Sequence, residues 1–151
     1  DDGSTDNTIE VIKKNNIKFI KNNHLGYGMN LYAGMKKAFE LGATHVVELH
    51  GDSQYDFSYV KEMKSKFSDG FDLVLGNRFY DYRQPLNDGM PLYIYMGNIF
   101  LTLLGRIGLG IKNNDLFQGF RGYSKNLYNQ INTSNFNQIC PCTINFCSHF
   151  I

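Results

Sequence analysis

Apolar and polar positions along this chain switch between two periods. Thr8 to Asn15 puts Ile9 and Ile12 on one face and predicts a short helix, with Asp6 or Ser4 as its cap. Ile17 to Lys21 (IKFIK) alternates strictly and predicts a strand. A polar turn over Asn22 to Tyr27 leads into a helix over Gly28 to Leu41. There Leu31, Met35, Ala38 and Phe39 fall near helical spacing, and Gly42 supplies the stop. Thr44 to Leu49 (THVVEL) is the clearest strand, and Ser58 to Phe67 reads as a helix capped by Ser58. Phe71 to Leu75 (FDLVL) predicts a strand closed by Gly76, and Asn77 to Gly89 a long loop rich in Asp, Arg and Tyr. A helix follows from Met90 to the region of Gly105, with Pro91 in its first turn. Leu116 to Tyr123 predicts a short strand, and Lys125 to Ile131 a helix.

Strands alternating with helices over short connections predict right-handed crossovers. The expected fold is therefore α/β and Rossmann-like, a mostly parallel sheet with helices on both faces. In such sheets ligands bind beyond the carboxyl ends of the strands. Asp1-Asp2, His50 to Gln54 and Asn77-Arg78 all occupy such ends, which gathers three polar clusters on one rim. The first turn stands at the first residue, so the expectation is that the strand-helix-strand unit feeding it is missing. Residues 1–134 are expected to form a partial α/β domain and 135–151 a divergent tail.

Composition narrows the classes. With 151 residues, 42% hydrophobic and 19% charged, the chain suits one soluble domain. A net charge of +1 argues against nucleic acid as a partner. The most apolar long segment, Met90 to Ile111, contains Asn98, Arg106 and several glycines, so a buried or interfacial helix is expected rather than a membrane span. Cys140, Cys142 and Cys147 crowd one end and make no disulfide framework, which favours a reducing cytoplasm. With His149 they match no structural zinc spacing.

Two acidic, glycine-containing turns suggest a site for a sugar nucleotide and its metal. Asp52 and Gln54 follow THVVEL two residues apart, on the same side of extended backbone. A carboxylate and an amide oxygen suit Mg²⁺ or Mn²⁺, with His50 as a third ligand or as a donor behind it. Such a cation stabilises charge on a departing diphosphate. A capped turn is the plainer reading of the same residues. Asp1 or Asp2 can accept from a base or a ribose, or simply cap the helix. Arg78, Arg83 and Arg121 are candidates for phosphate contacts, against the plainer reading of solvated surface arginines. Asp115, ahead of LFQGFR, can act as a general base, orient an arginine or serve a turn. His24-Leu25-Gly26-Tyr27-Gly28 lacks the fuller dinucleotide and P-loop patterns and reads as a tight turn, with Asn30 facing the rim.

DDGSTDNT, GYGMNLYAGMKKA, HGDSQYD, LGNRF, MPLYIYMGN and D-x-x-QGFRGYSK together resemble glycosyltransferase family 2, particularly its polyprenyl-phosphate sugar synthase (dolichol-phosphate mannose synthase-like) branch. The resemblance covers Asp1 to the region of Leu127. It implies a GT-A fold and an inverting, metal-assisted transfer from a UDP- or GDP-sugar to an acceptor, of which a polyprenyl phosphate is one option and a glycan another. It implies nucleotide-sugar binding by Asp1, Asp2, Asp52 and Arg78, and acceptor binding by Asn98, Arg78 and Arg121. Asp115 and Arg121 take catalytic positions, and Asp52, Gln54 and His50 hold Mg²⁺ or Mn²⁺. His50 stands where the family's metal motif has its first Asp, Phe57 where a Pro commonly follows, and Ile94 and Ile99 where basic residues often occur. The setting implied is the cytoplasm, with the cytoplasmic face of a membrane as a peripheral alternative. An inactive remnant or nucleotide-sugar-binding module is the rival reading, and a nucleotidyltransferase a weaker one.

Overall fold

The computed structural model describes residues 1–51, 55–110 and 112–130. Expectations placed on Asp52, Gln54 and residues 131–151, including the tail and its cysteines, lie outside them. In chain order the elements are α1 (Thr8–Lys14), α2 (Tyr27–Glu40), β1 (His45–Glu48), a 3₁₀ turn (Phe57–Tyr59), α3 (Val60–Ser68), β2 (Leu73–Leu75), α4 (Gln84–Asn87), α5 (Leu92–Leu109), β3 (Arg121–Ser124) and α6 (Lys125–Gln130).

The sheet corrects the expected topology. Its order is β1-β3-β2, and β3 runs antiparallel to both neighbours, so the described sheet is antiparallel and not mostly parallel. β1 and β2 are not spatial neighbours, because a strand from much later in the chain enters between them. Alternation shows that a segment is extended but carries no information about its pairing partner. Ile17 to Lys21, expected as a strand, is irregular. The Asn22 amide instead donates to the Asp1 carbonyl at 2.8 Å, which lays this segment beside the first turn.

Register fixes what meets at the rim. Arg121 lies opposite Glu48 on one side and Leu75 on the other. The carboxyl ends of β1 and β2 therefore reach the same edge, where β3 begins. The Gly76 amide extends the contact by donating to the Phe120 carbonyl at 2.8 Å.

Helices cover both faces because successive β3 residues point opposite ways. Tyr123, fully buried, packs with Met35 and Phe39 of α2, flanked by Leu73, Leu127 and Tyr128. Gly122 faces α3, where the Phe67 ring leaves no room, since an added Cβ would lie 2.6 Å from it. Local signals set the boundaries. Asp6 accepts from the Thr8 amide at 3.0 Å and starts α1. Asp56, rather than Ser58, caps the turn before α3 by accepting from the Ser58 amide at 2.8 Å. Gly42, at φ +93°, ends α2 as its sequence position predicted.

Two measurements follow from this packing. Phe39→Ala is expected to lower unfolding free energy by about 3 kcal/mol in urea titration, because both the transferred area and the cavity count against it. Asp72 accepts from the Ser124 hydroxyl and from Asn126, and these bonds, the first foremost, hold its carboxyl below the ordinary carboxylate value. A depressed folded value makes this contribution complete above the ordinary pKa of about 4 and lost as pH falls through the folded one. Asp72→Asn should therefore flatten the acid limb of a Tm-against-pH curve and leave its slope near neutrality unchanged.

Candidate functional site

The rim is assembled from four segments, beginning with the Asp1–Gly3 turn. The Asp1 carboxylate accepts from the Gly3 and Ser4 amides at 3.2 Å each. Asp2 reaches across to the turn before α2, taking the Leu25 amide at 2.7 Å and the Gly26 amide at 2.8 Å. Both Asp2 oxygens thus sit at the positive end of a 14-residue helix. Gly3 adopts φ +97° with the His24 ring against it, where a Cβ would come within 2.8 Å. Asn30, expected at the rim, accepts from the Asn22 side chain at 2.7 Å.

Glu48, at the end of β1, is the centre of the second segment and is only 5% exposed. Its Oε1 accepts from the Tyr27 hydroxyl of α2, and its Oε2 accepts from the Tyr123 hydroxyl of β3 at 2.8 Å. Burial, and then the Glu48 charge, push the Tyr123 phenol far above its ordinary pKa, so it keeps the proton it donates to Glu48. The Tyr27 hydroxyl also lies 3.1 Å from His50 Nε2. Two rings flank His50: Tyr27 and Tyr55 meet it edge-on, each with centroids 5.7 Å away. Tyr55 stacks on Phe120, and its hydroxyl accepts from the Gly119 amide at 2.8 Å. Gly119 is required here, since a Cβ would lie 2.4 Å from the imidazole.

The third segment follows β2. Arg78 Nε and Nη2 donate to the two Asp115 oxygens at 2.8 and 2.9 Å, and the Arg78 amide donates to the same carboxylate at 3.0 Å. The Asp115 side chain is fully buried, while that of Arg78 is 29% exposed. Hydrogen bonding to Asp115 raises the Arg78 pKa further, which fixes its positive charge. The guanidinium carbon also lies 5.8 Å from the centroid of the Phe79 ring. Of the three readings of Asp115, this geometry matches that of a carboxylate orienting an arginine, and the arginine is Arg78.

The fourth segment leads into β3. Arg121 is 6% exposed, and its Nε donates to the Gln118 carbonyl at 2.9 Å. It stands within the sheet opposite Glu48 rather than on open surface. Gln118 is itself buried, and its side-chain oxygen accepts from the Phe120 amide. Asn98 lies apart from these groups on α5, half-buried, with its amide 4.0 Å from Met90 Sδ. Tyr93, Met96, Phe100, Leu103 and Ile107 form an exposed apolar stripe along the same helix. No helix among the described residues is long and apolar enough to cross a membrane.

Of the expected metal ligands, only His50 is among the described residues. Those residues contain no group of three or more His, Cys, Asp or Glu side chains that could hold a metal ion. His50 nonetheless fits the role of a single donor, since its ring is flanked by Tyr27 and Tyr55, still one-third exposed, and within hydrogen-bond distance of a hydroxyl at Nε2. Sequence reading missed Glu48, Tyr27, Tyr55 and Gln118. The one available signal was a carboxylate inside an apolar strand, which requires buried partners.

Comparison with known proteins agrees with this arrangement of motifs. The dolichyl-phosphate hexose transferase of Haloferax volcanii is 28% identical over 130 residues, spanning 86% of this chain and 54% of that protein. The UDP-N-acetylglucosamine--dolichyl-phosphate N-acetylglucosaminyltransferase of Methanococcus voltae is 30% identical over 144 residues, spanning 83% of this chain and 57% of its own. An uncharacterized protein of Methanocaldococcus jannaschii is 30% identical over 128 residues, spanning 82% and 51%. The chain thus spans about half the length of the curated relatives it matches. No solved structure matches it significantly. The sequence profile of glycosyl transferase family 2 matches residues 1–132, and with the rim described above this places the chain in that family.

Proposed function

We propose that this rim serves an inverting transfer of a sugar from a UDP- or GDP-sugar to a lipid-phosphate acceptor. The observation that carries the reading is the Arg78–Asp115 clamp, a guanidinium held by a buried carboxylate yet 29% exposed, just past the end of β2. Acceptor oxygen attacks the anomeric carbon in line, the bond to the diphosphate breaks, and the nucleotide diphosphate leaves on the opposite face. Arg78 receives the diphosphate oxygens, and Asp115 orients Arg78. Both Asp115 oxygens are taken up by that task, and a phosphate acceptor is already anionic near neutrality, so the attack needs no separate base.

Asp1 and Asp2 shape the nucleotide side, Asp2 by holding Leu25 and Gly26 in place. Asp52, Gln54 and His50 would hold Mg²⁺ or Mn²⁺, which supplies positive charge against the departing diphosphate when bound. Arg121 contributes its charge from within the sheet, and Asn98 stands on the acceptor side with α5. The apolar stripe of α5 lies against a bilayer surface, where a lipid-linked acceptor is met. The two characterised relatives carry dolichyl phosphate in their names, which supports this class of acceptor.

The test uses purified protein, radiolabelled UDP- and GDP-sugars and a polyprenyl phosphate. Sugar should pass into the lipid fraction, and Arg78→Ala should lower kcat/KM by about 100-fold, the scale of losing a charge-stabilising donor. Asp115→Asn should cost less, and Asp115→Asn combined with Arg78→Ala should cost no more than Arg78→Ala alone. Additive losses would assign Asp115 an independent proton-transfer role and sink its positioning role. Nucleotide-sugar binding in calorimetry without any transfer would favour a binding module instead. In vesicle co-sedimentation, Phe100→Glu with Ile107→Glu should release the protein from phospholipid while leaving nucleotide-sugar affinity unchanged.

A further inference from the structure

We propose that Glu48 and Tyr27 are positioning residues that lock the His50 imidazole in its Nε2–H form, with Nδ1 as the lone-pair nitrogen. The inference rests on the reading of His50 as a cation ligand. It starts from donor counting. A tyrosine hydroxyl has one proton, and Tyr27 donates it to Glu48 Oε1. Toward His50 Nε2, 3.1 Å away, the same hydroxyl presents only oxygen lone pairs. The bond between them therefore forms only if Nε2 carries the hydrogen. In neutral imidazole this leaves Nδ1 unprotonated.

Glu48 cannot do this directly. Its Oε1 lies 3.7 Å from His50 Nε2, beyond hydrogen-bond reach, so the connection passes through the Tyr27 hydroxyl. Nor is Glu48 free to turn. Tyr123 holds its other oxygen at 2.8 Å, and the side chain is 3% exposed. Tyr27 is the first residue of α2, directly after the Gly26 amide held by Asp2, so the first turn also constrains the relay. Gly119 and Tyr55 close around the ring and oppose a flip that would exchange its nitrogens. A carboxylate that orients an imidazole through an intervening hydroxyl performs the task of the groups that usually stand behind metal-binding histidines.

The experiment is long-range ¹H–¹⁵N correlation of ¹⁵N-histidine-labelled, metal-free protein, with His50 assigned by His50→Gln. Mn²⁺ affinity is measured by electron paramagnetic resonance on the same samples. The expected result is an Nε2-protonated His50 with a slowly exchanging proton. In Tyr27→Phe that exchange accelerates and Mn²⁺ affinity falls by about tenfold, with thermal stability as a check on the fold. Glu48→Gln leaves one oxygen for two tyrosine hydroxyls and should give an intermediate loss; it also serves if Tyr27→Phe does not fold. An Nδ1-protonated His50 in the wild type overturns the inference. So does equal Mn²⁺ affinity in wild type and Tyr27→Phe, an outcome that leaves the cation itself in place. A wild-type chain that takes up no Mn²⁺ removes the cation from the proposed function, and the tautomer and exchange measurements then decide this inference alone.

Discussion

A carboxylate inside a sheet is tolerated only where its oxygens are occupied, and Glu48 meets that condition with two phenols from two different elements. One of them, Tyr123, is also the most buried residue of the core. The other, Tyr27, opens α2 and touches His50. Packing and site chemistry therefore share one group. Removing either hydroxyl leaves an oxygen of Glu48 without its partner, at a cost that a surface hydrogen bond would not carry. Arg121 stands opposite it in the adjacent strand.

From Glu48 the rim can be followed in both directions through direct contacts. One direction runs through Tyr27 to the Gly26 and Leu25 amides and so to Asp2. The other runs through His50 to Gly119, then Phe120, whose carbonyl holds Gly76 at the end of β2. Two residues further on, Arg78 is fixed by Asp115. Polar groups more than a hundred residues apart in the chain thus belong to one connected edge, which is the arrangement a ligand with several phosphate oxygens requires.

Much of this was readable before any coordinates. Strong periodicity located α2, β1, α3 and α5 to within a few residues, because each buries one face and the sequence must repeat accordingly. The positions of His50 and Arg78 just past β1 and β2 were legible for the same reason. The sheet's direction was not. It depends on β3, whose four residues Arg-Gly-Tyr-Ser show neither an apolar run nor clean alternation. Gly122 is small because Phe67, 55 positions earlier, occupies its space, so its identity answers a distant partner. Arg78 and Asp115 were each singled out, yet their pairing across 37 positions left no local trace.

The position of β3 has a bearing on how the polypeptide matures. It is the last of the three described strands to leave a ribosome, yet it occupies the middle of their sheet. Until it emerges, β1 and β2 have no central partner, and both present bare backbone amides and carbonyls to whatever lies nearby. The contact that closes the layer, Tyr123 to Glu48, spans 75 positions. Closure of this layer thus waits until residues 121–124 have emerged, an interval in which a nascent chain of this kind depends on shielding from its neighbours.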